Sequence, residues 1–371
     1  LNHTSTHHDT NTNTIAPKKY GNTGTWQGPA PRGSGAAPMH IQDDERAAAA
    51  AVINIKPIAE PQTVLLPGGK GDRMPLLALG SPTTTASDDD MLQPSLVEQA
   101  LALGICHFDC ATVTKNQAII GQALKPFLSK DKSNRSKLFV SIKLWNNEWS
   151  DPEMAITKSI TELGLDGSHD DGGGEKGYID LVMVHFPPSA PQLQATWRVL
   201  EGLVEKGLVK YLGVCNFGLK MIEDMLTWVT VKPIVNQVEL HPLLPQRKMI
   251  GVLLRKGVYS SAFLPLGGNN DELVNHPAVI DLSKETGQSP AQVLVKWSVQ
   301  RGVPVVVDWR NFQQQLNDVN DGLWSWKLTW DQKSKLDALA EKEGVKRYYQ
   351  PSWHVYADEE EGGAVKPSTL Q

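Results

Sequence analysis

Eight short, continuously apolar runs alternate along this chain with stretches of helical period, and that alternation constrains the fold more than any other feature. The runs are Leu76–Leu79, Ile105–Phe108, Leu138–Ile142, Ile179–Val184, Val209–Val214, Ile234–Asn236, Val258–Ala262 and Val303–Val307. Runs this short, apolar on successive residues, suit parallel strands covered on both faces. Between them, Leu193, Trp197, Leu200 and Val204 recur at helical steps, with Gly207 where a C-cap belongs. Leu219, Ile222, Met225, Leu226 and Val229 repeat the pattern. Ser150-Asp151-Pro152-Glu153 and Ser289-Pro290-Ala291-Gln292 read as capping boxes with Pro at or near the first helical position. Eightfold strand–helix alternation predicts a (β/α)8 TIM barrel. A doubly wound sheet would want a GxGxxG joining an early strand to a helix, and none occurs. Gly68-Gly69-Lys70-Gly71, preceded by Val64–Leu66, reads instead as a hairpin turn.

At 371 residues the chain could hold two or three domains, but a barrel of about 250 residues is one. Before residue 61 the pattern is absent. Thr/Asn/His repeats (Thr4 to Thr14), a Gly/Pro/Ser stretch (Gly28 to Pro38) and an Ala run (Ala47 to Ala51) carry too little aliphatic surface to offset the entropy of ordering. Residues 1–60 are therefore expected to be a disordered arm in which His3, His7 and His8 are solvated, not metal ligands. The barrel is expected over 61–342, followed by a C-terminal segment and acidic tail over 343–371. The insert Asp166–Gly177, rich in Gly, Asp and His, reads as a flexible loop away from the chemistry. The first residue is Leu1 rather than Met, so an upstream start is expected.

Composition narrows the function. No apolar run approaches the roughly 18 residues a membrane span needs. A net charge of −5 without a basic stripe argues against nucleic acid. Cys106, Cys110 and Cys215 form no CxxC pair, which argues against a disulfide framework or structural zinc and suits a reducing, cytoplasmic setting. A monomer is expected. Cys110 and Cys215 read as packed thiols, and Trp324, Trp326 and Trp330 as helix packing.

In a barrel of this kind chemistry gathers where strands end. The second, third and fourth runs end at Asp109, Lys143 and His185, a carboxylate, an ammonium and an imidazole on successive strands. That set makes an acid–base cluster. The fifth run leads into Cys215-Asn216, the sixth into Gln237 and Glu239, and the eighth into Asp308.

Over roughly residues 62 to 340 the chain resembles the aldo-keto reductase family. The carrying segments are Asp72-Arg73-Met74-Pro75 with Leu77-Ala78-Leu79-Gly80, His107-Phe108-Asp109-Cys110-Ala111, Lys143-Leu144-Trp145, Tyr178-Ile179-Asp180-Leu181 and His185-Phe186-Pro187. Gly213-Val214-Cys215-Asn216-Phe217, Asn236-Gln237-Val238-Glu239 with His241-Pro242, and Pro265-Leu266-Gly267 continue the series in family order. The resemblance implies a barrel that binds NADP or NAD without a Rossmann motif and transfers hydride between nicotinamide and a small carbonyl or alcohol. It implies catalytic roles for Asp109, Lys143 and His185, carboxamide binding by Asn216 and Gln237, ring stacking by Phe263, and a loop around the pyrophosphate that includes Leu264 and Leu266. Trp145 would wall the substrate pocket, and the segment after the last helix, with Trp353 and His354, falls where the family selects substrates.

Two positions depart from the family pattern. The tyrosine that donates the proton should follow Asp109 by five residues, and there stands Thr114. A Thr hydroxyl is far less acidic than a phenol of reference pKa about 10, which leaves a slow enzyme or one in which His185 or Lys143 gives the proton, with His185 the acid on this reading. Second, the lysine that clamps the 2′-phosphate of NADPH is replaced by Asp308, with a Gln near the matching arginine and Arg310 close by. Asp308 would repel a phosphate or accept from a ribose hydroxyl. The altered acid and clamp also admit a different function, a catalytically weak or inactive barrel that senses nucleotide or docks a protein.

Overall fold

The computed structural model describes residues 62–67, 71–80, 92–166, 177–268, 271–308 and 323–352. The expected N-terminal arm with its three histidines, Gly68–Lys70 of the expected turn, most of the 166–177 insert, Arg310, and Trp353 with His354 lie outside those residues.

Two strands, β1 (Thr63–Leu65) and β2 (Arg73–Pro75), pair antiparallel as a hairpin. Eight more close into a barrel: β3 (Leu77–Gly80), β4 (His107–Ala111), β5 (Phe139–Leu144), β6 (Ile179–Val184), β7 (Val209–Cys215), β8 (Val235–Glu239), β9 (Tyr259–Phe263) and β10 (Val305–Asp308). Every neighbouring pair is parallel, and β10 closes the ring between β9 and β3. Helices α1 (Pro94–Ala102), α2 (Gln117–Lys130), α3 (Pro152–Glu162), α4 (Ala190–Glu205), α5 (Leu219–Met225), α6 (Arg247–Arg255), α7 (Pro277–Thr286), α8 (Pro290–Val299), α9 (Trp330–Asp337) and α10 (Leu339–Glu343) follow the strands. The (β/α)8 barrel expected from the alternation is the fold.

Two apolar layers hold it. The outer one lies between sheet and helices, with Trp197, Leu200, Ile156, Trp297 and Val140 among its buried members. The inner one fills the N-terminal end of the barrel. Phe139, Leu181, Met183 and Val235 pack there against Leu66 and Met74 from the hairpin. Two tyrosines pin that hairpin: Tyr211 Oη donates to Asp72 Oδ2 at 2.5 Å, and Tyr259 Oη to the Leu65 carbonyl at 2.8 Å. The hairpin thus closes one mouth of the barrel and leaves chemistry to the other.

Local expectations need three corrections. The N-cap of α3 is Asp151, whose side chain accepts from Met154 N; Ser150 lies outside the helix, so that segment is a simple cap. At α8 the expected capping box is present, with Ser289 and Gln292 bonding each other's backbone N–H. The helix expected through Val229 ends at Met225 and continues as turns. Trp330 stands 80% exposed on α9, while the Lys296 ammonium lies over the rings of Trp324 and Trp326, 5.4 and 5.3 Å from their centroids.

Candidate active site

Strands β4 and β5 run in register, with Asp109 opposite Ser141 and Ala111 opposite Lys143. Side chains alternate along a strand, so His107 and Asp109 share one face of β4, and Ser141 and Lys143 share the matching face of β5. Asp109 and Lys143 lie inside the strands although the apolar runs stop just short of them, because an inward-facing polar side chain interrupts the run without ending the ladder. Asp109 is 1% exposed and Lys143 7%. Lys143 Nζ forms a close ion pair with Asp109 Oδ2, and Ser141 Oγ donates to Asp109 Oδ1 at 2.6 Å. A buried pair of this kind is maintained by the further hydrogen bonds that satisfy its lone pairs.

His185 follows β6 directly. Trp145 packs edge-on against its imidazole at 5.0 Å, and Phe186 stacks at 5.1 Å. Burial first, and the Lys143 ammonium second, hold its pKa well below the ordinary histidine value. An imidazole kept neutral has no imidazolium proton to give at neutral pH, which goes against the expectation that His185 is the acid. It can donate an N–H hydrogen bond and orient a carbonyl.

Two 3-10 turns frame this cluster, Thr112–Thr114 after β4 and Asn146–Glu148 after β5. Thr112 Oγ1 donates to Glu148 Oε2 at 2.5 Å, and the same carboxylate oxygen accepts from Trp145 N at 2.8 Å. The bridge fixes Trp145 beside His185. Thr114 faces the cavity, but its hydroxyl lies 2.7 Å from the Ala111 carbonyl and 2.9 Å from Asn116 Oδ1. Its single proton is engaged within its own turn.

Across the mouth lies a second polar group. Asn216 follows β7 with φ of +63°, a left-handed conformation that Asn tolerates better than most residues. Its Nδ2 donates to the His185 carbonyl at 3.1 Å, while its buried Oδ1 has no hydrogen-bond partner. Gln237 on β8 stands beside it, with Cys215 Sγ between them, 3.3 Å from Asn216 Nδ2 and 4.0 Å from Gln237 Oε1. Cys110 is packed in the core as expected. Cys215 also lines the cavity, and burial raises the pKa of both thiols far above the ordinary range. Phe263 ends β9 and leads into a tight turn in which Leu264, Gly267 and Gly268 all have positive φ. For a bulky residue such as Leu264, that conformation marks backbone held by its surroundings.

One cavity of about 760 Å³, counted to its open mouth, joins these parts. Asp109, Thr114, Lys143, Trp145, His185, Asn216, Gln237, Phe263, Leu264, Leu266 and Asp308 all line it. Of the expected site residues, Arg310 alone lies outside the described ones.

Tyr349 belongs to the segment expected where the family selects substrates, but the sequence did not single it out. It lines the same cavity, its ring perpendicular to Phe263 with centroids 5.9 Å apart. Burial first, and the nearby Cys215 second, push its phenol up to about 12. The fully buried Glu239 seats this segment: its carboxylate accepts from the backbone N–H of Tyr348 at 2.6 Å and of Tyr349 at 3.0 Å, and His241 Nε2 lies 3.0 Å away. Glu239 and Tyr349 stand 110 residues apart, so no local pattern links them. His107 and Ser141 were missed too, although their two-residue spacing from Asp109 and Lys143 was there to read.

The profile of the aldo/keto reductase family matches residues 77–341. The chain is similar to aldo-keto reductase family 1 member A1 of Mus musculus, 33% identical over 299 residues covering 72% of this chain and 87% of the relative. The Rattus norvegicus protein of the same name is 35% identical over the same shares. Among solved structures, the aldose reductase of Schistosoma japonicum superposes with a TM-score of 0.66 at 25% identity, covering 81% of this chain and all (100%) of that one. A Bombyx mori aldo-keto reductase in complex with NADP gives a TM-score of 0.68 at 23% identity over 79% of this chain and 96% of that one.

Proposed function

The chain belongs to the aldo/keto reductase family, and we propose that it is an NAD(P)(H)-dependent oxidoreductase interconverting a small carbonyl compound and its alcohol, with Lys143 supplying the proton that a tyrosine would otherwise give. The observation that carries this reading is the convergence of the Asp109–Lys143 pair, His185, Asn216, Gln237 and Phe263 on one cavity.

The residues fit a nicotinamide. Asn216 Oδ1 is a buried acceptor without a partner, suited to a carboxamide N–H, and Phe263 presents an aromatic ring beside it. The positive-φ turn from Leu264 to Gly268 would follow the pyrophosphate. A bound nicotinamide supplies the hydride. Neutral His185 would hold the carbonyl oxygen by an N–H hydrogen bond. Lys143 keeps one ammonium proton on Asp109 and has others for that oxygen. Trp145 and Tyr349 wall the cavity. Asp308 on its rim favours a cofactor without a 2′-phosphate. The reading takes the chain as a cytoplasmic monomer. Among the described residues no helix is long and apolar enough to cross a membrane.

Titrating intrinsic Trp fluorescence with NADH and NADPH tests it, since Trp145 lies in the cavity wall. Saturable quenching is expected, with NADH binding at least as tightly as NADPH and Asp308→Asn narrowing the difference. No response to either cofactor at millimolar concentration would sink the enzyme reading. The engaged hydroxyl of Thr114 favours, as a second reading, a barrel that binds nucleotide but turns over weakly or not at all. Clear cofactor binding without carbonyl reduction across a substrate panel would select it.

A further inference from the structure

The interior of a (β/α)8 barrel is normally filled by layers of branched apolar side chains. Here β4 and β5 place His107, Ser141, Asp109 and Lys143 together inside, all at 7% exposure or less. Burying a hydroxyl and an imidazole is unfavourable unless both are hydrogen-bonded. They are bonded in one direction. Ser141 has a single proton and gives it to Asp109 Oδ1 at 2.6 Å. Its oxygen must then accept from His107 Nε2, 3.0 Å away. That puts the proton of His107 on Nε2, facing Ser141, while the Pro75 backbone carbonyl also interacts with the ring. The ring is braced by an edge contact to Phe139 at 4.7 Å. The other nearby carboxylate, Asp180, is held elsewhere, by Arg135, Lys210 and Val140 N.

We propose that Ser141 and His107 are positioning residues, a His107→Ser141→Asp109 hydrogen-bonded line that keeps Asp109 turned so that Lys143 holds its ammonium at the cavity floor. The proposal rests on the reading of Lys143 as the proton donor, although its electrostatic part stands without turnover. Every donor in the line points toward Asp109, so one carboxylate oxygen is satisfied by Ser141 and the other is reserved for Lys143. Without the hydroxyl, the carboxylate is freer to turn from Lys143. A looser ion pair lowers the affinity of Lys143 for its proton.

Competitive acetylation of the full chain with acetic anhydride across the alkaline range, quantified on the Lys143 peptide by mass spectrometry, reads this directly. A hydrogen bond to a charged group is worth enough to move a titration by roughly one pH unit. Ser141→Ala is expected to lower the Lys143 midpoint by about that much, and His107→Phe by less. Ser141→Thr, which keeps the hydroxyl, is expected to restore it. In an active enzyme kcat of Ser141→Ala should fall roughly tenfold at unchanged KM, with the basic limb of the pH profile moving with the labelling midpoint. Circular dichroism confirms that each variant is folded. A Lys143 midpoint in Ser141→Ala that superposes on wild type overturns the proposal. So does an Nδ1–H tautomer for His107 in the 15N spectrum of histidine-labelled wild type, a reading that needs neither a variant nor access of the label. A shifted midpoint in a protein without turnover supports the positioning line and overturns only the catalytic reading of Lys143.

Discussion

Thr114 and His185 show how the setting of a side chain decides what it can do. Both stand on the cavity wall, yet the hydroxyl of Thr114 is engaged with Ala111 and Asn116, and the imidazole of His185 is held neutral by burial and Lys143. A phenol at position 114 would reach beyond that turn and bring an acid of reference pKa about 10 beside an ammonium that lowers it. Thr114→Tyr is therefore expected to raise carbonyl-reduction kcat on the order of 10²-fold, in line with the usual worth of a general acid. Steady-state assays at saturating cofactor check it, and an unchanged rate would show that Lys143 already does the work in full. The neutral state of His185 leads to a second expectation. It contributes no limb near the ordinary histidine value to the pH profile of kcat/KM, because that pKa has been driven well below it. His185→Gln, which keeps an N–H donor, should lower kcat/KM and leave the shape of the acid limb as it was. A limb near neutrality that disappears in this variant would contradict the neutral assignment.

At the scale of elements, much of the molecule is legible because barrel strands are apolar on both faces. Each of the eight runs lies on a barrel strand. Their ends were misplaced where Asp109, Lys143, Gln237 and Glu239 turn polar groups into the interior, and those interruptions are the site itself. Position at strand ends was enough to find Asp109, Lys143 and His185 and to reach Asn216 and Gln237, whose binding role came with the family resemblance; spacing within strands was enough in principle for His107 and Ser141. Contacts between distant segments were not accessible that way. The segment carrying Tyr349 is seated by two backbone bonds to Glu239, and nothing periodic announces such a pairing. Its dependence on one carboxylate is testable. Glu239→Gln keeps the shape but offers one acceptor oxygen and no charge, so amide hydrogen exchange in the peptide containing Tyr348 and Tyr349 should quicken by tenfold or more, the loss expected for roughly one charged hydrogen bond. Equal exchange in both proteins would mean that other contacts hold the segment. For α8, the reciprocal cap of Ser289 and Gln292 predicts that Ser289→Ala costs about 1 kcal/mol in a urea unfolding experiment.

For the barrel as a whole, one end is closed by an apolar plug from the hairpin and the other holds buried polar groups around a cavity. The two ends respond differently to acid. Leu66, Met74 and Phe139 in the plug have no proton to gain, whereas His107, paired with Phe139 across the strands, is driven down to about 4, chiefly by burial. His185 is depressed as well, by burial and by Lys143. In the unfolded chain both imidazoles take up a proton near pH 6.5. Between that value and the depressed folded one, the unfolded state binds more protons than the barrel, so stability rises with pH across the window. It is fully present above about pH 6.5 and is lost progressively as the pH falls toward 4. For His107 alone the loss is on the order of 3 kcal/mol, from two and a half pH units of displacement. Urea midpoints measured from neutrality down to pH 4 should therefore decline. His107→Phe, although less stable at neutrality for want of its bond to Ser141, should decline less steeply because it has no imidazole to protonate on unfolding. Parallel declines in the two proteins would mean that acid enters the barrel through other groups and that the His107–Ser141 line holds no proton back.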